Sequence, residues 1–165
     1  FNHYTELRSL NSYPSTTTPV IIANSQLADS WGFEFAGTFR ATNWWRLRGG
    51  YTFFNKRIWT NSSDVLPISR EFEGVDPKNV ITLQSIIDLP KNFQFDVTGR
   101  YVDVLPLATA TPLVPSYYTL NARLAWMFKA FEFSVAGQNL LQAKHTEVGT
   151  SQIPRTVYGK IVCQF

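Results

Sequence analysis

One cysteine and two histidines stand among 165 residues, and each scarcity closes a class of explanation. A lone Cys163 can form no internal disulfide, and with only His3 and His145 the chain has no Cys/His spacing of the kind zinc sites use, so no metal site and no cofactor is expected. Long hydrophobic runs are missing too. Nothing approaches the roughly 20 consecutive apolar residues of a membrane helix, which excludes a helical span and leaves a membrane strand open. The basic residues are scattered singly and the net charge is only +3. Without the clustered Lys/Arg face that a phosphate backbone calls for, nucleic acid is not an expected partner. The chain opens at Phe1 with no basic, apolar leader, so it reads as a mature product or a fragment.

What is abundant is the aromatic ring. Phe, Tyr and Trp make up 15% of the chain, against an ordinary 44% of hydrophobic residues, and their spacing carries the information. Trp31, Phe33, Phe35, Gly37, Phe39 and Ala41 share one parity while Gly32, Glu34, Ala36, Thr38 and Arg40 share the other, the period of a strand. The same alternation recurs over Trp44 to Phe53, over Val80 to Leu89, over Phe93 to Tyr101, over Tyr117 to Phe128 and over Phe131 to Gln138. It recurs once more at the end, where Val157, Gly159, Ile161, Cys163 and Phe165 oppose Tyr158, Lys160, Val162 and Gln164. With a weaker first strand over Phe1 to Leu10, the count is about eight.

The connections alternate in length. Short turns at Ala41 to Asn43, Pro90 to Asn92 and Lys129-Ala130 are interleaved with long segments around Pro14, from about Asn55 to Pro77, through Pro106 to Pro115, and from about Gln142 to Gln152. Transmembrane barrels have this rhythm, with short periplasmic turns, long outer loops and strands of roughly ten residues. Aromatics crowd both ends of the strands, at Trp44, Trp45, Phe93, Trp126, Phe128 and Phe131 near the short turns and at Trp31, Tyr101, Tyr117 and Tyr118 near the long ones, as two interfacial girdles require. A soluble eight-stranded barrel or sandwich has the same period with its faces reversed. The terminal aromatic, the loop asymmetry and the girdles together favour the membrane. The expected fold class is all-β: an antiparallel transmembrane β-barrel, about eight strands of it, over residues 1–165.

Three stretches carry a family likeness. GFEFAGTFRATNWWRLRGGYTF (Gly32 to Phe53), LPKNFQFDVTGRYVDVLP (Leu89 to Pro106) and VAGQNLLQAKHTEV (Val135 to Val148) with the closing PRTVYGKIVCQF resemble the C-terminal end of TonB-dependent outer-membrane receptors. The likeness covers nearly all of this chain, though Gln142 stands where the family usually has an acidic residue. It implies that these are the last strands of a barrel of about 22, without the plug, the TonB-contacting box and the earlier strands. It further implies a bacterial outer-membrane active transporter taking up a scarce ligand, such as a siderophore or other metal chelate, or a vitamin. The implied partners are the lipid bilayer, the rest of the same receptor, TonB through the N-terminal part, and the barrel-assembly machinery. The alternatives are a self-contained eight-stranded outer-membrane barrel, structural or enzymatic, and a soluble ligand-binding barrel.

Chemistry-bearing residues are sparse. Arg40, Arg46, Arg48, Arg100 and Arg123 share the polar parity with Glu34, Asp96 and Glu132, so they face the interior, where pairing with carboxylates is the plainer role and contact with an anionic ligand the sharper one. Trp59 and Arg70 fall in the longest loop and are candidate ligand contacts with Arg46, Arg48, Arg100 and Arg123. Tyr158, Gly159, Ile161, Cys163 and Phe165 form the candidate membrane-assembly signal. His145 and Glu147 lie in the last outer connection, with no GxSxG elbow and no serine placed beside them by spacing. They read as solvent-exposed, and no enzymatic activity is expected.

Overall fold

The computed structural model describes residues 1–12, 20–60, 75–105, 113–148 and 150–163. Period-2 patterning builds strands whose backbone groups must find partners on both sides, and here they do so in chain order. The strands are β1 (Asn2–Ser12), β2 (Val20–Arg40), β3 (Trp45–Thr60), β4 (Asn79–Leu89), β5 (Phe93–Val102), β6 (Tyr117–Phe128), β7 (Phe131–Gln138), β8 (Lys144–Val148), β9 (Ser151–Pro154) and β10 (Thr156–Cys163). Eight of them form one sheet in the order β1-β2-β3-β4-β5-β6-β7-β10, and β8 and β9 form a separate hairpin. Every pairing is antiparallel.

The short turns are where the sequence places them. Lys91 and Asn92 adopt φ of 62° and 63°, and Lys129 a φ of 53°, the left-handed backbone that suits tight hairpins to the twist of their strands. At the first turn, the Ala41 and Thr42 amides donate to the Trp45 carbonyl at 3.0 and 3.2 Å.

Two strands are longer than the alternation predicts. β2 begins at Val20 rather than near Trp31, and β3 runs on to Thr60, so Trp59 lies on a strand opposite Leu27 and not in a loop. The run VIIANSQLADS has no clean apolar alternation, which hides it from a periodicity test. It is held from both sides instead, with Ala28 opposite Tyr4 of β1 and Ile58 of β3. Where this extension meets the wall, a Cβ on Gly32 would collide with the Phe53 carbonyl oxygen, so only glycine lets β2 pass so close to β3. The last long connection also differs from expectation, since it contains the β8–β9 hairpin. The segments are four and five residues long, too short for alternation to declare itself.

The two faces of the sheet are chemically opposite. Phe33, Phe35, Phe39, Leu83, Leu124, Val135, Val157 and Ile161 are all exposed, Phe35 at 72% and Ile161 at 68%. The buried strand residues Gln26, Ala28, Ser30, Ile58, Ile86, Val102, Tyr117, Thr119, Ala125 and Ser134 all lie on the opposite parity. A curved sheet crowds its concave side, so the polar parity is the inside and the apolar parity is turned outward. That is the reverse of a soluble barrel and fits a wall set in lipid. Among the described residues, a compact apolar cluster, Val102, Val114 and Tyr117 with Val80 and Leu105, sits at the long-loop end of the interior.

Candidate functional site in the inner wall

Strand register stacks the inward residues into level rows. Nearest the short turns, Asp88, Gln94, Ala125, Ser134 and Lys160 are successive partners from β4 to β10. One step outward come Arg40, Arg46, Ile86, Asp96, Arg123, Ala136 and Tyr158. Side chains from β3 to β7 join into one chain of contacts across these rows. Arg46 Nη2 donates to both Asp88 oxygens at 2.9 and 3.0 Å, and Gln94 Nε2 donates to Asp88 Oδ1 at 2.9 Å. Arg123 Nη1 donates to Gln94 Oε1 at 3.1 Å and Asp96 Oδ2 at 2.8 Å, while its Nη2 pairs with Glu132. A guanidinium holding two carboxylates and an amide is a strong, directional clamp. Pairing within the wall therefore accounts for Arg46 and Arg123. Asp88, not singled out as an interior carboxylate from the sequence, completes the network; its shared parity with Thr82 and Gln84 was the available signal.

Further outward the rows change character. Thr38, Arg48, Gln84, Thr98 and Asn121 are level with one another, and so are Ala36, Gly50, Thr82, Arg100 and Thr119. Arg48 and Arg100 are exposed, and among the described residues neither has an ion-pair partner. Arg100 lies against the Tyr117 phenol.

At the outer end, the β8–β9 hairpin is tied back to the wall by the GQNLL run. Asn139 is buried and at φ 53°; its backbone amide donates to Asn121 Oδ1 at 3.0 Å, and its Nδ2 donates to the Ile153 carbonyl at 3.0 Å. The Leu140 amide donates to the Leu120 carbonyl at 2.9 Å. His145, expected in solvent, is instead 7% exposed. Its ring lies 4.8 Å from that of Tyr117, and Nε2 is 2.8 Å from Glu147 Oε1. The β8–β9 pairing folds this histidine inward, so it acts as a packing residue at the mouth.

The girdles form as expected. Phe93, Phe128 and Phe133 pack around Trp126 at ring distances of 6.0, 5.2 and 5.9 Å, and at the other end Trp31 meets Phe53 at 5.0 Å and Tyr101 meets Tyr118 at 4.8 Å. The RYVD run explains itself here. Arg100 points in, Tyr101 joins the outer girdle, Val102 enters the apolar cluster, and Asp103 accepts from Asn79 Nδ2 at 2.7 Å, from its neighbour's Val104 amide at 2.9 Å and from the Tyr101 hydroxyl at 3.3 Å. The hydrogen bond from Asn79 is the largest cause holding the Asp103 carboxyl below its ordinary value, against the opposing effect of partial burial.

Of the other candidates, Trp59 has its ring 6.1 Å from that of His3, far along β3 from Arg46 and Arg48. Tyr158 sits opposite Ala136, Gly159 opposite Val135, Ile161 opposite Phe133 and Cys163 opposite Phe131. Arg70 and Phe165 lie outside the described residues. The structure thus brings Arg46, Arg48, Arg100 and Arg123 onto one inner wall and leaves Trp59 apart from them.

An outward apolar face, two aromatic girdles and a polar interior are together the signature of an outer-membrane wall, and residues 2–158 match the family described as outer membrane protein beta-barrel. The chain belongs to that family. This outer-membrane barrel chain also shares its fold with solved receptor and transporter structures. The ferric yersiniabactin uptake receptor FyuA from Yersinia pestis superposes with a TM-score of 0.62 at 18% identity, over 86% of this chain and 24% of that one. The copper transporter OprC gives 0.70 at 13% identity, over 96% and 27%. FpvAI, solved in complex with pyocin S2, gives 0.69 at 14% identity, over 96% and 22%. The chain therefore spans about a quarter of the length of these proteins. No curated protein matches it in sequence.

Proposed function

We propose that this chain is the C-terminal part of the wall of a TonB-dependent outer-membrane receptor, an active transporter that takes up a scarce ligand such as a metal chelate or vitamin. The observation that carries the reading is the open sheet. β1 pairs with β2 alone and β10 with β7 alone, so among the described residues the eight strands make a curved wall with two free edges, not a closed ring. A barrel of about 22 strands encloses a lumen too wide for wall side chains to fill, which calls for a plug. The fold shared with FyuA and OprC, whose names describe uptake and transport, supports the same role. A self-contained eight-stranded barrel is disfavoured by the same two edges.

In this reading the segment supplies wall, outer mouth and the closing strand, and the energy comes through TonB acting on the N-terminal part. Tyr158, Gly159, Ile161 and Cys163 of β10, together with Phe165, serve as the signal read by the barrel-assembly machinery. Deleting Phe165 lowers the amount of receptor reaching the outer membrane, which surface labelling measures; undiminished levels remove the role assigned to this residue. The transport role is tested by deleting the gene and following accumulation of ferric chelates, copper and cobalamin in cells with and without a proton-motive force. The expected result is loss of energised accumulation of one of them. Unchanged accumulation of all three refutes it.

A further inference from the structure

The lipid face carries no charge between its girdles. On the outward parity, from Trp31 to Phe39, Trp45 to Phe53, Ile81 to Leu89, Phe93 to Tyr101, Tyr118 to Phe128, Phe131 to Gly137 and Val157 to Cys163, no Asp, Glu, Lys or Arg stands. Charge returns at the short turns, where it has one sign. Lys91 lies in the Pro90–Asn92 turn that opens β5, and Lys129 follows Phe128 at the end of β6, the strand beside it. Both are exposed, and neither has an ion-pair partner among the described residues. The remaining short turn, Ala41 to Trp44, is neutral. Asp88 and Glu132, the carboxylates next to these turns, are on the inner parity and are held by Arg46 and Arg123. The Lys129 ammonium lies over the ring of Phe128, a girdle side chain, 5.5 Å from its centre. That contact places it on the lipid side of the wall, unlike Arg40 and Lys160, which stand near the same rim on the inner parity.

From this rim towards mid-membrane, β5, β6, β7 and β10 leave a groove of about 270 Å³, walled on the lipid face by Phe93, Leu124, Trp126, Phe133, Val135 and Ile161. Phe93, Trp126, Phe133 and Ile161 are level with one another, and Leu124 and Val135 stand in the next row. The partner of Val135 is Gly159, where a Cβ would meet nothing nearer than the Ser134 carbonyl oxygen at 3.9 Å, so the groove stays open in that direction. We infer that this corner of the wall binds one anionic glycerophospholipid of the periplasmic leaflet: Lys91 and Lys129 hold its phosphate at the rim, and an acyl chain lies in the groove from Trp126 past Gly159. Short turns face the periplasm, and an ammonium beside a girdle ring sits at headgroup depth. With no carboxylate on the lipid side of these two turns, the lipid phosphate is the counter-charge. A zwitterionic headgroup brings its own cation to the same place, so the pair of lysines discriminates against it. The site needs only the outer-membrane wall and its orientation, and stands apart from the transport reading.

The test uses the full-length protein in detergent micelles, titrated with phosphatidylglycerol and separately with phosphatidylcholine, and native mass spectrometry counts the lipid retained. The parent is compared with Lys91→Asn/Lys129→Asn, with Val135→Phe, which narrows the groove, and with Lys144→Asn in the outer hairpin as a control for general surface charge. Asparagine suits the left-handed backbone of both turn positions, at φ 62° and 53°. Each turn lysine is also replaced singly, so that the result stands should the pair not assemble. The parent should half-saturate with phosphatidylglycerol at a concentration at least fivefold lower than with phosphatidylcholine. The double variant should lose that preference, each single variant should lower it at least twofold, Val135→Phe should weaken the binding of both lipids, and Lys144→Asn should match the parent. The inference is overturned if the parent shows no preference, if the preference survives substitution of the turn lysines, if Lys144→Asn lowers it as much as they do, or if Val135→Phe binds both lipids as the parent does.

Discussion

Asp103 is a small residue-scale device with a measurable signature. Its carboxylate takes hydrogen bonds from Asn79, the Val104 amide and Tyr101, all of which favour the charged form, so its folded pKa lies below the ordinary 3.8. A group with a depressed folded pKa stabilises the fold fully above its unfolded value and loses that contribution as pH falls through the folded one. The stability gap between the parent and Asp103→Asn should therefore be constant from neutrality down to about pH 4 and close below 3.8. Thermal unfolding at stepped pH measures it, and a gap that persists in acid means the hydrogen bonds act without the charge. Arg123 is the second residue that the contacts single out. Replacing it by Leu strands Asp96 and Glu132 on one wall, and because the three side chains are 29%, 16% and 28% exposed, the cost should fall between exposed and fully buried pairs, at about 2 kcal/mol. Glu132→Gln, which keeps a hydrogen-bonding partner, should cost clearly less in the same denaturant titration.

Among the elements, legibility followed regularity. β4, β5 and β6 alternate over their whole length, and the structure finds them within a residue or two of where the parity puts them. The inward positions of Arg46, Arg48, Arg100 and Arg123 were readable for the same reason. The β2 extension was not, because Val20, Ile21 and Ile22 are consecutive apolar residues, stabilised by neighbours distant in sequence. Nor was the β8–β9 hairpin, whose anchors are single polar residues. Parity names a face; it does not say which partner a side chain will choose, so Asp88 and the burial of His145 needed coordinates. The hairpin depends on Asn139, whose Nδ2 holds Ile153 and whose amide meets Asn121. Asn139→Ala removes the first bond and places alanine at a left-handed backbone, so local opening should become cheaper by about 1 to 3 kcal/mol. Hydrogen exchange across Lys144–Val148 and Ser151–Pro154 should quicken by one to two powers of ten while β5 and β6 keep their protection.

At the scale of the whole molecule, everything turns on which face meets lipid, and that question has a depth as well as a sign. Between the girdles, Phe39, Leu47, Ser85, Val97, Ala122 and Gly137 form one level row on the outer face. Two rows beyond it towards the long loops lie Tyr101 and Tyr118, and two rows towards the short turns lie Phe93, Trp126 and Phe133. Val97 is therefore near mid-membrane. Leu124, in the row of Trp45, Ile87, Phe95 and Val135, is closer to the inner girdle. An arginine on the lipid face costs about 2 to 4 kcal/mol at the midplane and falls towards zero to one near an interface. Val97→Arg should reach the upper figure and Leu124→Arg a smaller one, whereas Thr98→Arg, on the inner wall beside Val97, should be tolerated. Reversible unfolding in phospholipid vesicles gives all three. Equal costs for Val97 and Thr98 would mean that the sheet does not separate lipid from lumen; the expected order, Val97 above Leu124 above Thr98, fixes both the face and the depth at which this wall sits in the outer membrane.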